Sequence, residues 1–225
     1  MVAYRETFMG VQDLNNNYEF LTVKNHVEII EYIQKSKFIS QVFPLGSESE
    51  AIDIINKVKK NHYKATHNVY AYVLGENKEI QKSTDDGEPS GTAGIPVLEI
   101  IKKENLNNVL IVVTRYFGGI KLGAGGLIRA YAHMAKLGID GSVIIKNVLC
   151  EKIKITIDYT YWSKIENESN NMGILIQEVE FLDKVSIYLL LQEDEKEKLI
   201  NFIEDTTNGN FIIETFGFNY VSLGR

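Results

Sequence analysis

The segment from Val109 to Leu137 constrains the fold more than any other part of the chain. Val109-Leu110-Ile111-Val112-Val113-Thr114 is an unbroken run rich in β-branched and aliphatic side chains. Such a run reads as a strand buried on both faces, since a half-exposed strand would alternate with polar residues. Arg115-Tyr116-Phe117-Gly118-Gly119-Ile120-Lys121-Leu122-Gly123-Ala124-Gly125-Gly126 follows, with five glycines, and Leu127 to Leu137 then shows helical spacing. A strand buried on two sides needs a layer on each. The pattern therefore predicts an α+β or α/β sandwich of about 125 residues, within the size range of one domain.

The neighbouring segments supply those layers. Phe20–Ile33 and Lys37–Phe43 alternate as strands. Ala51, Ile52, Ile55 and Val58 recur at helical spacing, with Ser47 as N-cap and lysines at the far end. His67–Leu74 is a strand with a return near Glu79–Lys82, and Ile95–Lys103 is a short helix whose Pro96 suits the first turn. After Gly141–Asn147 the order changes: Val148–Tyr159, Tyr161–Asn171, Ile174–Phe181, Val185–Leu191, Glu193–Asp205 and Phe211–Tyr220 read β-α-β-β-α-β, a ferredoxin-like pattern.

Charge and cysteine content narrow the function classes. One cysteine, Cys150, leaves no disulfide partner and no multi-cysteine zinc site. No run reaches the roughly 18 apolar residues of a membrane helix, so a cytoplasmic protein without a membrane partner is expected. The net charge of −6 lies in the last third: residues 1–146 hold 17 Lys/Arg and 16 Asp/Glu, whereas residues 147–225 hold 7 and 14. Such a chain is no general DNA coater, but the near-neutral first part leaves room for a locally basic cleft.

Two loops carry the chemistry. The glycine-rich stretch is flanked by Arg115, Lys121 and Arg129, and Gly118, Gly119, Gly123, Gly125 and Gly126 let a ligand approach the backbone at a helix start. This predicts an anion or partner site where the three cations converge. The second loop, Ser83 to Gly94, bears Asp85, Asp86, Glu88, Ser90 and Thr92, with His67 placed to face it. Asp85, Asp86 and Glu88 are the carboxylates that could hold a hard cation such as Mg²⁺. They could equally cap Thr92 and its neighbours, or pair with Arg115 and Arg129. The glycines have their own bland reading as tight turns and close helix–sheet packing. Cys150 reads as a buried small hydrophobe.

His67-Asn68-x-x-Ala71-Tyr72, DDGEPSGTAG at 85–94 and RYFGGIKLGAGGLIRAY at 115–131 together resemble the signature of the IMPACT/YigZ family. The resemblance runs from about Tyr18 to the C-terminus. It implies a lead-in at 1–17, read as flexible, and an N-terminal domain over 18–141 with the β-α sandwich of RNase PH, GHMP kinases and ribosomal protein S5. It further implies a ferredoxin-like domain over 147–225, similar to one of elongation factor G. The expected function is that of a non-enzymatic binding or regulatory factor linked to translation. RNA, the ribosome or a translation-related protein would be the partner, and no cofactor is expected. The alternative is an enzyme acting on a phosphorylated substrate through the two loops, with Mg²⁺ on the carboxylates.

Overall fold

The continuous apolar run becomes the central strand of a sheet sandwiched between helices. The computed structural model describes residues 19–75 and 77–223, so the lead-in expected at 1–17 lies outside the described residues. The chain divides into two units, residues 20–146 and 147–222. The first contains β1 (Glu19–Val23), β2 (Val27–Ile33), β3 (Ser36–Pro44), α1 (Glu48–Asn61), β4 (His67–Leu74) and β5 (Ile80–Thr84). α2 (Gly94–Lys103), β6 (Val109–Tyr116) and α3 (Ala124–Asp140) complete it. Its five-stranded sheet has the order β2-β3-β6-β4-β5, antiparallel throughout.

Alternation along β6 distributes the run between two cores. Val109, Ile111 and Val113 pack with Val97 and Ile101 of α2 and with Leu127, Tyr131 and Met134 of α3. Leu110 and Val112 pack on the other face with Ala51, Ile55 and Val58 of α1. Each fully buried aliphatic side chain contributes about 1.5–3 kcal/mol relative to exposure. Ser47 caps α1 as expected, its Oγ accepting the Glu50 N–H at 3.2 Å. Close packing of α3 on the sheet demands Gly138, where a Cβ would lie 2.5 Å from Ser40 Oγ and 2.7 Å from Val42 Cγ2.

One boundary differs from the sequence expectation. α3 begins at Ala124 rather than Leu127, because Gly123 takes φ 71° and closes the loop there. The Leu127 N–H already donates to the Gly123 carbonyl at 2.9 Å. Gly125 and Gly126 are therefore helical residues, not loop residues.

The second unit shows the expected β-α-β-β-α-β order. Its strands are β7 (Ile144–Ile157), β8 (Leu175–Phe181), β9 (Val185–Leu191) and β10 (Ile212–Leu223), and its helices are α4 (Tyr159–Asn171) and α5 (Glu193–Thr207). The division between units falls inside β7, after Lys146. β7 pairs with β9 and β10, and β8 pairs with β9. Ile153, Ile155, Ile157, Ile187 and Leu189 alternate onto a core shared with Ile165 of α4 and with Leu199 and Ile203 of α5. Gln192 and Glu195 form a capping box at the start of α5, and Asn208 ends it in the left-handed conformation. Cys150 is buried, as expected for a small hydrophobe. Among the described residues no helix is long and apolar enough to cross a membrane.

Candidate functional site

Antiparallel pairing brings both recognised loops to one end of the first sheet. Arg115 lies opposite Phe38 on β3 and His67 on β4, so the end of β6 meets the start of both neighbours there. The β2–β3 hairpin tip at Gln34 and Lys35, the C-terminus of α1, the loop at 85–93 and the loop at 117–123 gather around that end. α2 and α3 both start from it.

The three carboxylates of the second loop are all engaged internally. Asp85 accepts the backbone N–H groups of Gly91 at 2.8 Å, Ala93 at 3.0 Å and Gly94 at 2.9 Å, and thereby caps α2. Partial burial pushes its pKa up, but those three donors outweigh burial and leave it below the usual carboxylate value. Asp86 receives Lys59 Nζ at 2.7 Å and the Asn68 N–H at 2.6 Å. Its carbonyl accepts His67 Nδ1–H at 2.9 Å. Glu88 is buried with Arg115: Arg115 Nη1 and the Tyr131 hydroxyl both donate to Glu88 Oε1, at 2.7 and 2.8 Å. His67 Nε2 stands 3.7 Å from its other oxygen. Burial, followed by the charge of Glu88, holds the Tyr131 phenol well above its ordinary pKa. Thr92 Oγ1 donates to the Pro89 carbonyl at 2.7 Å and shapes the turn, while Ser90 is exposed.

These contacts bear on the Mg²⁺ alternative. Asp85, Asp86 and Glu88 each face a different set of donors, and among the described residues no group of three His, Cys, Asp or Glu side chains is placed to hold a metal ion. Of the readings open in the sequence, helix capping and ion pairing with Arg115 are the ones formed.

The expected convergence of Arg115, Lys121 and Arg129 needs correction. The β6 register places Arg115 on the face covered by α3, where its guanidinium meets Glu88 and the rings of Phe38 and Phe117, 5.4 and 5.5 Å from their centroids. Its Nε has no hydrogen-bond partner. Lys121 and Arg129 are instead exposed and make no ion pair among the described residues. Gly118 serves packing: a Cβ there would lie 2.0 Å from the Lys35 carbonyl oxygen, and its N–H donates to Ser36 Oγ at 3.2 Å. Gly119 and Gly123 hold positive φ with open space beside them. Among the described residues no side chain is seen to cap the N-terminus of α3, whose N-cap is Gly123.

Sequence reasoning missed the residues that surround this loop. Tyr32, Lys37 and Tyr116 lie opposite one another on β2, β3 and β6, forming a row on the sheet face that α1 shares. Lys37 Nζ is 6.0 Å from the Tyr116 ring centroid, and Lys64 Nζ is 5.5 Å from that of Tyr63. Gln41 donates its amide to His62 Nε2 at 3.1 Å, so His62 Nδ1–H donates to the Tyr116 oxygen at 3.0 Å and fixes that ring. Tyr32 is 69%, Tyr63 74% and Phe117 47% exposed. Lys35, Lys37, Lys60 and Lys64 resemble Lys121 and Arg129 in making no ion pair among the described residues. The recurrence of Tyr near Lys at 32–37 and 63–64 was the available signal.

Comparison with known proteins places this arrangement in a family. Residues 34–139 match the model of the Impact N-terminal domain, and residues 155–210 match a domain of unknown function, DUF1949. The chain is 42% identical over 204 residues to the IMPACT family member YvyE of Bacillus subtilis, spanning 91% of this chain and 94% of that one. It is 29% identical over 201 residues to an IMPACT family member of Haemophilus influenzae, spanning 87% and 96%. Protein IMPACT of Oryctolagus cuniculus is 37% identical over 145 residues, spanning 62% of this chain and 39% of that one. A solved structure described as a hypothetical protein superposes with a TM-score of 0.60 at 24% identity, covering 88% and 98%, which speaks to the fold alone. The chain belongs to the IMPACT family.

Proposed function

We propose that this chain is a non-enzymatic binding factor of the translation machinery that contacts RNA, free or ribosomal, with the loop end of its first sheet. One observation carries the reading. The carboxylates at that end are neutralised internally, whereas Lys35, Lys37, Lys60, Lys64, Lys121 and Arg129 make no ion pair among the described residues. Cations left unpaired around an uncapped helix start suit a polyanion, because phosphates gain both charge pairing and free N–H donors. The second unit, with twice as many acids as bases, repels the same ligand and takes no part in binding it.

The test is fluorescence anisotropy of a labelled RNA titrated with the full chain at several salt concentrations. Four to six phosphate contacts give a log–log salt slope of about −3 to −4 for single strands. Replacing Lys121 and Arg129 together with Glu should weaken binding at least tenfold and flatten that slope, while leaving the circular dichroism spectrum unchanged. Co-sedimentation with ribosomal particles should fall in parallel. No binding to any RNA, or binding indifferent to these two residues, would refute the reading.

A further inference from the structure

We infer that the RNA bound here is single-stranded, its unstacked bases lying on the Tyr32–Lys37–Tyr116 row and on Phe117. The inference rests on the reading above that this end binds RNA. It adds what the cations alone do not supply, a preference for one form of the polymer.

The first ground is the row itself. Strands in a sheet lie about 4.8 Å apart, so the outer residues of the row are separated by about 9–10 Å. That distance is bridged by adjacent nucleotides whose bases are splayed rather than stacked on each other. Tyr32 ends the row at 69% exposure, and Phe117, 47% exposed, lies one residue past the end of β6 with the Arg115 guanidinium 5.5 Å from its ring centroid. Tyr32 and Phe117 therefore offer exposed ring surface, and Lys37 Nζ, 6.0 Å from the Tyr116 centroid, sets a positive charge in the row, the combination on which single strands are held.

The second ground is preorganisation. α1 covers the sheet face over Leu110 and Val112, and its C-cap His62 stops at Gln41 and Tyr116. The Gln41–His62–Tyr116 chain fixes one platform before any ligand arrives, so little side-chain entropy is lost there on binding. The Phe117 N–H donates to Thr66 Oγ1 at 3.1 Å, and Gly118 locks against the hairpin tip, which together hold the backbone beneath the second platform.

Duplex RNA does not fit these features. Its bases are already stacked and it presents sugar hydroxyls and phosphates, so it would engage the lysines and leave the rings unused. An acidic peptide would likewise use only the cations.

The experiment compares a labelled 12-nucleotide single strand with a 12-base-pair duplex, each titrated with the full chain. The variants are Tyr32→Ala, Tyr32→Phe, Phe117→Ala and the Lys121→Glu/Arg129→Glu pair. The single strand should bind at least tenfold tighter than the duplex. Tyr32→Ala and Phe117→Ala should each weaken the single strand by about tenfold, the usual scale of one base–aromatic stack, and leave the duplex unchanged. Tyr32→Phe keeps the π-face and should bind as wild type does. Both replaced rings are exposed, and a thermal melt verifies that each variant is folded. Equal affinity for the two forms, or single-strand binding indifferent to both rings, overturns the inference. If the charge-reversal pair still weakens both RNAs in that case, the RNA reading stands without it. If neither RNA binds wild type, both fall.

Discussion

Replacing Glu88 with Gln preserves the shape of the side chain and deletes its charge, leaving Arg115 as a buried cation. The two side chains are 4% and 5% exposed and meet at 2.7 Å. Beyond Glu88, Arg115 has only the Phe38 and Phe117 rings and Ser36 Oγ, 3.4 Å from its Nη2, while its Nε has no partner. Breaking a buried pair in this way costs about 3–5 kcal/mol, a large share of the 5–15 kcal/mol typical of a folded domain. The weakened acceptor for Tyr131 adds to the loss. Urea titration followed by far-UV circular dichroism gives the magnitude, and hydrogen exchange of peptides from β6 and α3 locates it. Trp162, the single tryptophan, lies on α4 and reports the second unit separately. The double variant Glu88→Gln/Arg115→Met removes both charges and should be more stable than Glu88→Gln alone, since no charge is left stranded. A Glu88→Gln loss below about 1 kcal/mol, or a double variant less stable than the single, would refute this account of the pair.

Asp85 predicts a pH dependence. Its folded pKa lies below the unfolded value of about 3.9, so its stabilisation is complete above that value and fades as pH falls through the folded one. Asp85→Asn should therefore cost about 1–2 kcal/mol at neutral pH and converge with wild type in strong acid; a gap that persisted there would count against the capping role. Gly94→Ala should cost about 3 kcal/mol, because a Cβ would lie 2.5 Å from the Thr84 carbonyl oxygen. Gly119→Ala meets open space and should cost only the strain of its positive φ, about 1 kcal/mol; equal melting temperatures for the two would contradict the packing argument. Burial, then the charge of Glu195, raises the Cys150 thiol pKa, so a thiol reagent at pH 8 should label it in urea and barely at all in the native protein. Rapid native labelling would show that β7 opens readily.

Wherever local pattern decided the structure, the sequence was readable. The β6 run, the Ser47 cap and the alternation through 147–222 each depend on residues close in the chain. The start of α3 was misread because glycine favours loops on average, whereas Gly125 and Gly126 sit in a first turn that Gly123 had already closed. The two loops stood out as motifs, but the roles of their charged groups depend on register. Glu88 meets Arg115 only because β6 lies beside β4 and turns residue 115 toward α3. The row of Tyr32, Lys37 and Tyr116 comes from segments 84 residues apart, joined by strand order alone. No local periodicity could announce it.

The contrast between the two helix starts gives this end of the sheet a direction in space. α2 and α3 both start from this end, but Asp85 caps the first whereas no side chain among the described residues caps the second. With the exposed lysines added, a unit that carries 16 Lys/Arg and 13 Asp/Glu over residues 20–146 becomes an electric dipole. Such a field acts over roughly the 8–10 Å of physiological screening, so it turns an approaching polyanion before any atom touches. Encounter should then be rapid and sensitive to ionic strength, while residence time is governed by the short-range contacts that form afterwards.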